Sequence, residues 1–465
     1  MLFDRLLMMT IKKFKNRKWL ICNPLPNTST SCNKDLNGGY GTWDKIGNDL
    51  LSKFIARSKK NNIKIPVLCL GYIRAILKEK GINCSYSEKI IDTNKIIQKG
   101  DIEAVVIYGS IVCCDLENEL ISKIKKLNSS IKIFVVGTYP TKFPENFKKS
   151  DYIIIGEPEN FFMNWSGDFA DLPLEEKRIF SENLQNLDVL PIPIFTKEFS
   201  KRCSYSPMLK RPTGFIEATR GCPYSCGYYC TYGENQGKII RSHSPKRLVY
   251  IMQELISKYG FKSFQFRDPV FGLKKGFIEE FCLAIIKSGL ECQWGMETRI
   301  DLLDESKLRL MKKSGLKSIN IGIETPNIEV AAANKRKICP DEHQKNIIEF
   351  AYKNKIRINA FYIMGLEEDT LDTCNQTINY SLNLNTYMAR YSVCTPYPGT
   401  RYYDDLNKEN RLSTKDLSNF NQQELVYKHK NLDTKIIKKL IQKAYIKYYL
   451  RPKVIWNILK ENIKR

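Results

Sequence analysis

Cys222, Cys226 and Cys230 stand in the run Gly221-Cys222-Pro223-Tyr224-Ser225-Cys226-Gly227-Tyr228-Tyr229-Cys230, directly behind the strand-like segment Phe215-Ile216-Glu217-Ala218-Thr219-Arg220. Three thiolates on one loop at the end of a buried strand can hold three irons of a 4Fe–4S cube. The fourth iron is then left without a protein ligand, and an open metal position is what separates a catalytic site from a closed structural one. A zinc or structural site completed by Cys203 or His243 is the other reading of the same loop.

The remaining residues fit for chemistry fall at the ends of predicted strands. They are Arg267-Asp268, Glu297-Thr298-Arg299, Gly322-Ile323-Glu324-Thr325, Met364-Gly365 and Thr395-Pro396-Tyr397-Pro398-Gly399-Thr400. A carboxylate can hold a pair of ribose hydroxyls, and an arginine fork can hold an α-carboxylate in two parallel hydrogen bonds. A glycine at a strand end lets a flat ring approach the backbone. Singly, each is a satisfied charge on a rim. Their recurrence on successive strand ends points to one shared ligand.

The elements that must position these residues are legible as strand–helix alternation. Over residues 213–415 the strands read as 215–220, 263–267, 292–299, 318–323, 357–364 and 391–395. Amphipathic helices lie between them at 245–259, 275–288, 304–314, 341–354 and 369–384, several starting behind Ser or Asp and ending near Gly260, Gly289 or Gly315. Six such repeats with right-handed crossovers predict a partial (β/α)6 barrel, with its active residues at the strand carboxyl ends.

An earlier region, residues 1–165, reads as strands at 19–24, 101–108, 132–136 and 152–155 with helices at 67–80 and 117–127. Short apolar strands that each end in glycine predict a doubly wound parallel sheet of the Rossmann or flavodoxin kind. Ligands of such sheets sit beyond the strand carboxyl ends, where Gly109, Ser110, Gly137, Thr138 and Gly156 fall. Each alone is an ordinary turn residue; together they predict a site for a large, flat or phosphate-bearing ligand. Residues 166–212 read as a linker rich in proline and charge, and residues 416–465 as a basic, aromatic helical extension packed on the barrel.

Composition narrows the class. The chain has 465 residues, 43% of them hydrophobic, enough to bury its own cores. Its 15 cysteines are odd in number and mostly isolated in apolar stretches, which reads as a reducing, cytoplasmic setting rather than a secreted disulfide framework. The formal charge is +24, but lysine dominates and no arginine stripe or RNA-binding aromatic signature stands out, so nucleic acid is not an expected partner. No run of 18 apolar residues is present to span a membrane. Residues 1–9 lack the basic region and cleavage site of a signal peptide.

Taken together, the cysteine run, Asp268-Pro269-Val270-Phe271, Gly295-Met296-Glu297-Thr298-Arg299-Ile300-Asp301, Gly322-Ile323-Glu324, the Gly365 region, Thr395 to Thr400, and Gly156-Glu157-Pro158-Glu159 resemble the radical S-adenosylmethionine superfamily. The resemblance runs from about residue 15 to 460 and is to the subfamily with an N-terminal cobalamin-binding-like domain. It implies that S-adenosylmethionine chelates the open iron, that an electron from the cluster cleaves it, and that the resulting 5′-deoxyadenosyl radical takes a hydrogen from an unactivated carbon. It implies Tyr228 or Tyr229 near the adenine, Glu324 near the ribose, Arg299 near the carboxylate, and Glu297 and Gly365 in the same S-adenosylmethionine site. It places a possible cobalamin at Gly109, Ser110, Gly137, Thr138 and Gly156, with cobalamin-dependent methyl transfer to carbon as the expected reaction. A radical cyclase or rearrangement enzyme with a degenerate cobalamin domain is an alternative, as is a non-catalytic iron–sulfur protein that binds nucleic acid or a protein partner. Partners would be a small-molecule substrate and an electron donor such as flavodoxin or ferredoxin. Two departures stand out. Three residues, not the usual two, separate Cys226 from Cys230, and the only histidines are His243, His343 and His429, so the first domain has no imidazole for cobalt.

Overall fold

The computed structural model describes residues 17–27, 31–36, 38–43, 50–173, 175–452 and 454–456. The expectation for residues 1–9 and the end of the C-terminal extension lie outside the described residues. The chain divides into two compact units, one from Met1–Thr28, Cys32–Thr42 and Pro66–Thr196, the other from Ser29–Ser31, Trp43–Ile65 and Lys197–Arg465.

The first unit is built on six parallel strands: β1 (Lys18–Cys22), β2 (Asn83–Ser87), β3 (Ile102–Tyr108), β4 (Lys132–Val136), β5 (Tyr152–Gly156) and β6 (Arg178–Ser181), in the order β2-β1-β3-β4-β5-β6. Ala104 to Ile107 are fully buried, which is why this central strand reads as a continuous apolar run. The order reverses at β1, the doubly wound, flavodoxin-like topology that the strand–helix alternation predicts. One face is filled by Trp19, Phe134, Phe162 and Trp165, with Trp19 and Phe134 stacked at 5.4 Å between centroids. The helices read at 67–80 and 117–127 are α1 (Leu68–Glu79) and α2 (Cys114–Leu127).

The second unit carries a second all-parallel sheet: β7 (Thr213–Ile216), β8 (Ser263–Phe266), β9 (Gln293–Thr298), β10 (Leu316–Glu324), β11 (Arg357–Met364) and β12 (Met388–Val393), each hydrogen-bonded to the next in chain order. This is the open six-stranded β/α barrel that the repeats predict. The strand read as 215–220 ends at Ile216. Thr219–Arg220 leaves it to pair antiparallel with Arg241–Ser242, and this small ribbon carries the cysteine loop. The last strand begins at Met388, three residues earlier than the apolar run suggests.

Side chains alternate across this sheet with period two. Phe266, Trp294 and Met296 point outward and are buried under the helices, where Trp294 meets Phe281 edge-on at 5.4 Å. The other face is polar: Gln265, Glu297, Ser318, Asn320, Asn359 and Arg390. The open edge at β12 is closed by α3 (Thr434–Tyr449), whose tyrosine hydroxyls bond the edge backbone: Tyr449 donates to the Ala389 carbonyl at 2.7 Å, and Tyr445 accepts from the Tyr391 N–H at 3.3 Å. Those bonds occupy groups that a further strand would otherwise take. Among the described residues no helix is long and apolar enough to cross a membrane.

Candidate active site

The cysteine loop is set by its base. The Asp268 carboxylate, beyond the end of β8, accepts from the Ala218 N–H and the Thr219 hydroxyl, both at 2.7 Å. It thereby fixes the turn from β7 into the ribbon. Burial pushes the Asp268 carboxyl up to about 7. Gly221 follows with φ +95°, where a Cβ would strike the Ile239 carbonyl oxygen, so only glycine admits the close approach of the returning chain. The Cys222 N–H donates to the Gly237 carbonyl at 3.0 Å, and behind a single 3₁₀ turn, residues Ser225–Tyr228, the Tyr229 and Cys230 N–H groups both donate to the Cys226 carbonyl, at 3.3 and 3.1 Å. The third residue between Cys226 and Cys230 is taken up in this turn.

The three thiols are unequal. A hydrogen bond with the Cys230 thiol, aided by the Arg336 and Arg299 charges, brings the Cys226 thiol down to about 6 against its burial. The same bond and burial push Cys230 up, and burial pushes Cys222 up. A thiolate-forming cysteine flanked by two guanidiniums suits binding of iron as thiolate. Cys203 sits at the amino end of β7, its carbonyl accepting from the Thr213 N–H, a whole strand away from the loop. Among the described residues no group of three or more His, Cys, Asp or Glu side chains converges as a single metal ion would need. Three cysteines on one loop, with Cys203 a strand away, are a donor set that a cluster held by three thiolates can use.

Around the loop stand the other strand ends. Glu324, the last residue of β10, has φ +67° at an irregularity in the pairing with β11, an uncommon backbone state for a glutamate. The irregularity folds its carboxylate back over Gly322, where a Cβ would clash with it, and sets it 3.6 Å from Arg336. Burial pushes the Glu324 carboxyl up, with Arg336 and Arg299 pulling against it. Arg336 also donates to the Gly322 carbonyl at 2.6 Å. Sequence reasoning missed this arginine, which lies in the run Asn334-Lys335-Arg336-Lys337 and looks like ordinary surface charge.

The predicted residues are not all alike. Arg299 lies beside the loop, over the Tyr224 ring at 4.3 Å, but its fork is held by Asp301 at 2.9 and 2.8 Å. Tyr229 is half-buried beside Glu324 and Arg336. Tyr228 packs on Tyr402 with centroids 4.9 Å apart. Glu297 lies deeper, on the inner face of β9. Gly365, with φ +77°, turns its carbonyl to the Tyr427 hydroxyl and faces Ile437 and Leu425.

In the first unit the five small residues do share the strand carboxyl ends, and their neighbours are their own unit. The place of a Gly109 side chain is taken by Pro140 and Phe147, and that of a Gly156 side chain by the Ser181 backbone. Ser110 donates from its backbone N–H and its hydroxyl to Glu117, each at 2.9 Å. Gly39 lies against Thr138: the Tyr108 hydroxyl donates to the Gly39 carbonyl at 3.1 Å, and a Cβ on Gly39 would meet the Thr138 hydroxyl. Lys34 from the same loop reaches the fully buried Glu117 at 2.7 Å. At the end of β1, beside the reversal of strand order, the buried amide oxygen of Asn23 has no hydrogen-bond partner.

Comparison with known proteins places this arrangement. Residues 216–380 match the Radical SAM superfamily. The chain is 28% identical over 425 residues, 84% of its length and 89% of the relative's, to an uncharacterized methyltransferase of Pyrococcus horikoshii. It is 23% identical over 387 residues, 79% of its length and 82% of the relative's, to bacteriochlorophyllide d C-8(2)-methyltransferase of Chlorobaculum tepidum. Its fold matches the cobalamin-dependent S-adenosylmethionine radical enzyme OxsB, solved with aqua-cobalamin and S-adenosylmethionine, with a TM-score of 0.69 at 14% identity over 94% of this chain and 68% of that one.

Proposed function

We propose that this chain, which belongs to the radical SAM superfamily, is a methyltransferase that uses a 4Fe–4S cluster, S-adenosylmethionine and cobalamin to methylate a carbon of a small-molecule substrate. The observation that carries the reading is the loop of Cys222, Cys226 and Cys230 beside Glu324, Arg336 and Arg299 at the mouth of a parallel barrel. When bound, the cluster supplies the electron that breaks a carbon–sulfur bond of S-adenosylmethionine, while cobalamin supplies a methyl carrier.

The residues of the chain do the rest. The three cysteines bind three irons and leave the fourth open. Arg336 and Arg299 hold positive charge beside those thiolates. Glu324, turned inward by its irregular backbone, is placed to accept ribose hydroxyls, and Tyr229 flanks the adenine. Arg299 acts on the carboxylate through its charge, since Asp301 shares its fork. Gly365 is committed to packing.

Cobalamin rests on the likeness of fold to OxsB, which was solved with aqua-cobalamin bound. Gly109, Ser110 and Gly156 are committed to the fold of the first unit. Asn23 and Thr138 each keep a buried side-chain oxygen without a hydrogen-bond partner at those strand ends, for the amide-fringed corrin. With no histidine in that unit, the cobalt would take no imidazole from it. Reduction would come from a small electron carrier such as flavodoxin or ferredoxin.

The test is anaerobic. Cluster-reconstituted protein is given a strong reductant, S-adenosylmethionine and cobalamin, and the nucleosides are identified by mass spectrometry beside Cys226→Ala. Cysteine-dependent 5′-deoxyadenosine together with cobalamin-dependent S-adenosylhomocysteine is the expected result. A full cluster that yields neither product refutes the reading.

A further inference from the structure

Cys32 and Cys113 stand 81 positions apart and read as two of the chain's many isolated cysteines. The fold of the first unit sets their sulfurs 3.4 Å from each other. A disulfide needs about 2.0 Å, so a small side-chain movement separates contact from bond. Cys113 is buried, and Cys32 keeps part of its surface in solvent. Cys114, next in sequence, is engaged elsewhere: its sulfur accepts from the Asn118 side-chain amide at 3.3 Å.

The setting favours a thiolate at Cys113. The hydrogen bond with the Cys32 thiol, aided by the Lys34 ammonium and the Ser110 hydroxyl, draws Cys113 down against its burial and the Glu117 charge. The same bond, with burial, pushes Cys32 up. Cys113 is also the residue directly ahead of the 14-residue helix α2, whose positive end favours a negative sulfur.

Cys32 belongs to a loop that rests on the segment leaving β3. The Ile111 N–H donates to the Tyr40 carbonyl at 3.2 Å, and the Lys34 ammonium donates to the Tyr108 carbonyl at 3.3 Å and to Glu117 at 2.7 Å. A Cβ on Gly41 would strike the Val112 side chain. These contacts hold the two sulfurs face to face without a covalent bond, while Gly39 of the same loop lies against Thr138 at the end of β4.

We propose that Cys32 and Cys113 are a reversible disulfide site, through which the surrounding thiol–disulfide balance locks this loop over the strand carboxyl ends of the first unit. The oxidant is a small-molecule disulfide. The part-exposed Cys32 sulfur, losing its proton, attacks one sulfur of that disulfide. A mixed S–S bond forms, the original one breaks, and one small thiol leaves with the proton. The Cys113 thiolate then attacks the Cys32 sulfur, the protein S–S bond forms, and the second small thiol leaves with the proton that Cys113 released. Two protein thiols give up two electrons and two protons, and the small disulfide takes them; a dithiol reductant runs the exchange backwards. The site lies outside the cluster and the barrel and does not depend on the reaction proposed for them.

The test holds the full chain with its cluster under anaerobic conditions in glutathione buffers of graded oxidised-to-reduced ratio. Free thiols are blocked in acid, and disulfide-linked peptides are identified by mass spectrometry. The expected product is a peptide pair linked from Cys32 to Cys113, which disappears when dithiothreitol is added. Hydrogen exchange of the amides in residues 32–41 should slow about tenfold or more in oxidised wild type, a part of what a cross-link over so long a segment supplies. Cys32→Ser, a change at a part-exposed loop position, and Cys113→Ala at the buried one should each keep exchange at the reduced rate in every buffer. Far-UV circular dichroism and the visible absorbance of the cluster show that each variant is folded. Free thiols at both positions in the most oxidising buffer, separate glutathione adducts, or a link from Cys113 to Cys114 overturns the proposal. A Cys32–Cys113 bond that leaves hydrogen exchange of the loop unchanged overturns it as well.

Discussion

Asp268 holds the base of the cysteine loop with a carboxyl that is 1% exposed, and its burial sets two substitutions against each other. In Asp268→Ala the Ala218 N–H and the Thr219 hydroxyl both lose partners at 2.7 Å. Each orphaned buried group costs about 1–3 kcal/mol, so the pair costs roughly 2–6 kcal/mol. In Asp268→Asn the amide oxygen still accepts from Ala218 and the amide nitrogen donates to the Thr219 oxygen, so both contacts survive without a charge. The wild-type carboxyl titrates at about 7 against an ordinary 3.8. Between those values the folded chain keeps a proton that the unfolded chain has released. Wild-type stability therefore falls as pH rises through that window, by up to about 1.4 kcal/mol per pH unit, and levels off above it. Asp268→Asn lacks this loss. It should gain on wild type from pH 5 to pH 8 by an amount on the order of 3 kcal/mol, whereas Asp268→Ala should fall well below wild type at pH 5 and less so at pH 8. The assay is urea unfolding of the cluster-free chain at both pH values, each variant compared with wild type at the same pH so that other titrations cancel. Hydrogen exchange of peptides containing Thr219 and Trp294 marks the transition of the second unit. A gap between wild type and Asp268→Asn that stays constant with pH would refute the buried-carboxyl argument. Cluster uptake by Asp268→Ala should fall at either pH, since the loop loses its anchor.

Two further perturbations act on single contacts. Gly221→Ala forces a Cβ into the Ile239 carbonyl at φ +95° and should abolish cluster incorporation with all three cysteines intact; Gly260→Ala, at φ +68° with nothing within 4 Å, should cost only about 1–2 kcal/mol and leave iron content unchanged. Lys34→Met leaves the Glu117 carboxyl alone in the core of the first unit and should lower stability by about 3–5 kcal/mol, with Lys34→Met/Glu117→Gln recovering much of it in thermal melts. A double variant no more stable than Lys34→Met would remove the buried pair from the account.

Legibility in the sequence followed burial on both faces. β3 and β4 read clearly because Ala104 to Ile107 and Ile133 to Val136 are apolar throughout, as a strand covered by helices on either side must be. β2 and β6 did not, because edge strands such as Asn-Cys-Ser-Tyr-Ser and Arg-Ile-Phe-Ser bury only alternate residues or fewer, and four or five letters of that kind resemble a loop. Helix bounds were close where a cap was chemical: Ser244 accepts from the Arg247 N–H, and Gly260 ends the same helix in the left-handed conformation. The cysteines announced themselves by spacing. Arg336 did not, because its meaning comes from Glu324 and Gly322 on a strand that the sequence separates from it by a helix.

The inner face of the barrel shows why strand ends alone gave half of the site. Ser318, Asn320, Gly322 and Glu324 alternate with Ile319, Ile321 and Ile323 along β10, and Asn359 and Phe361 alternate with Ala360 and Tyr362 along β11. A search for continuous apolar runs takes such strands as weak members of a buried sheet and looks to their last residues for function. Their polar letters instead belong to one surface, because parallel pairing in register sets Glu297, Asn320 and Asn359 side by side. Keeping amides and guanidiniums in a core costs stability unless each finds a partner. Here that level is satisfied only in part: Asn359, Asn320 and Tyr205 are joined by hydrogen bonds, while Gln265 Oε1, Ser318 Oγ and Arg390 Nη2 are buried without a hydrogen-bond partner. A sheet built only for stability would have filled that level with valine and leucine. The polar letters therefore mark one inner face of the sheet and not weak strands.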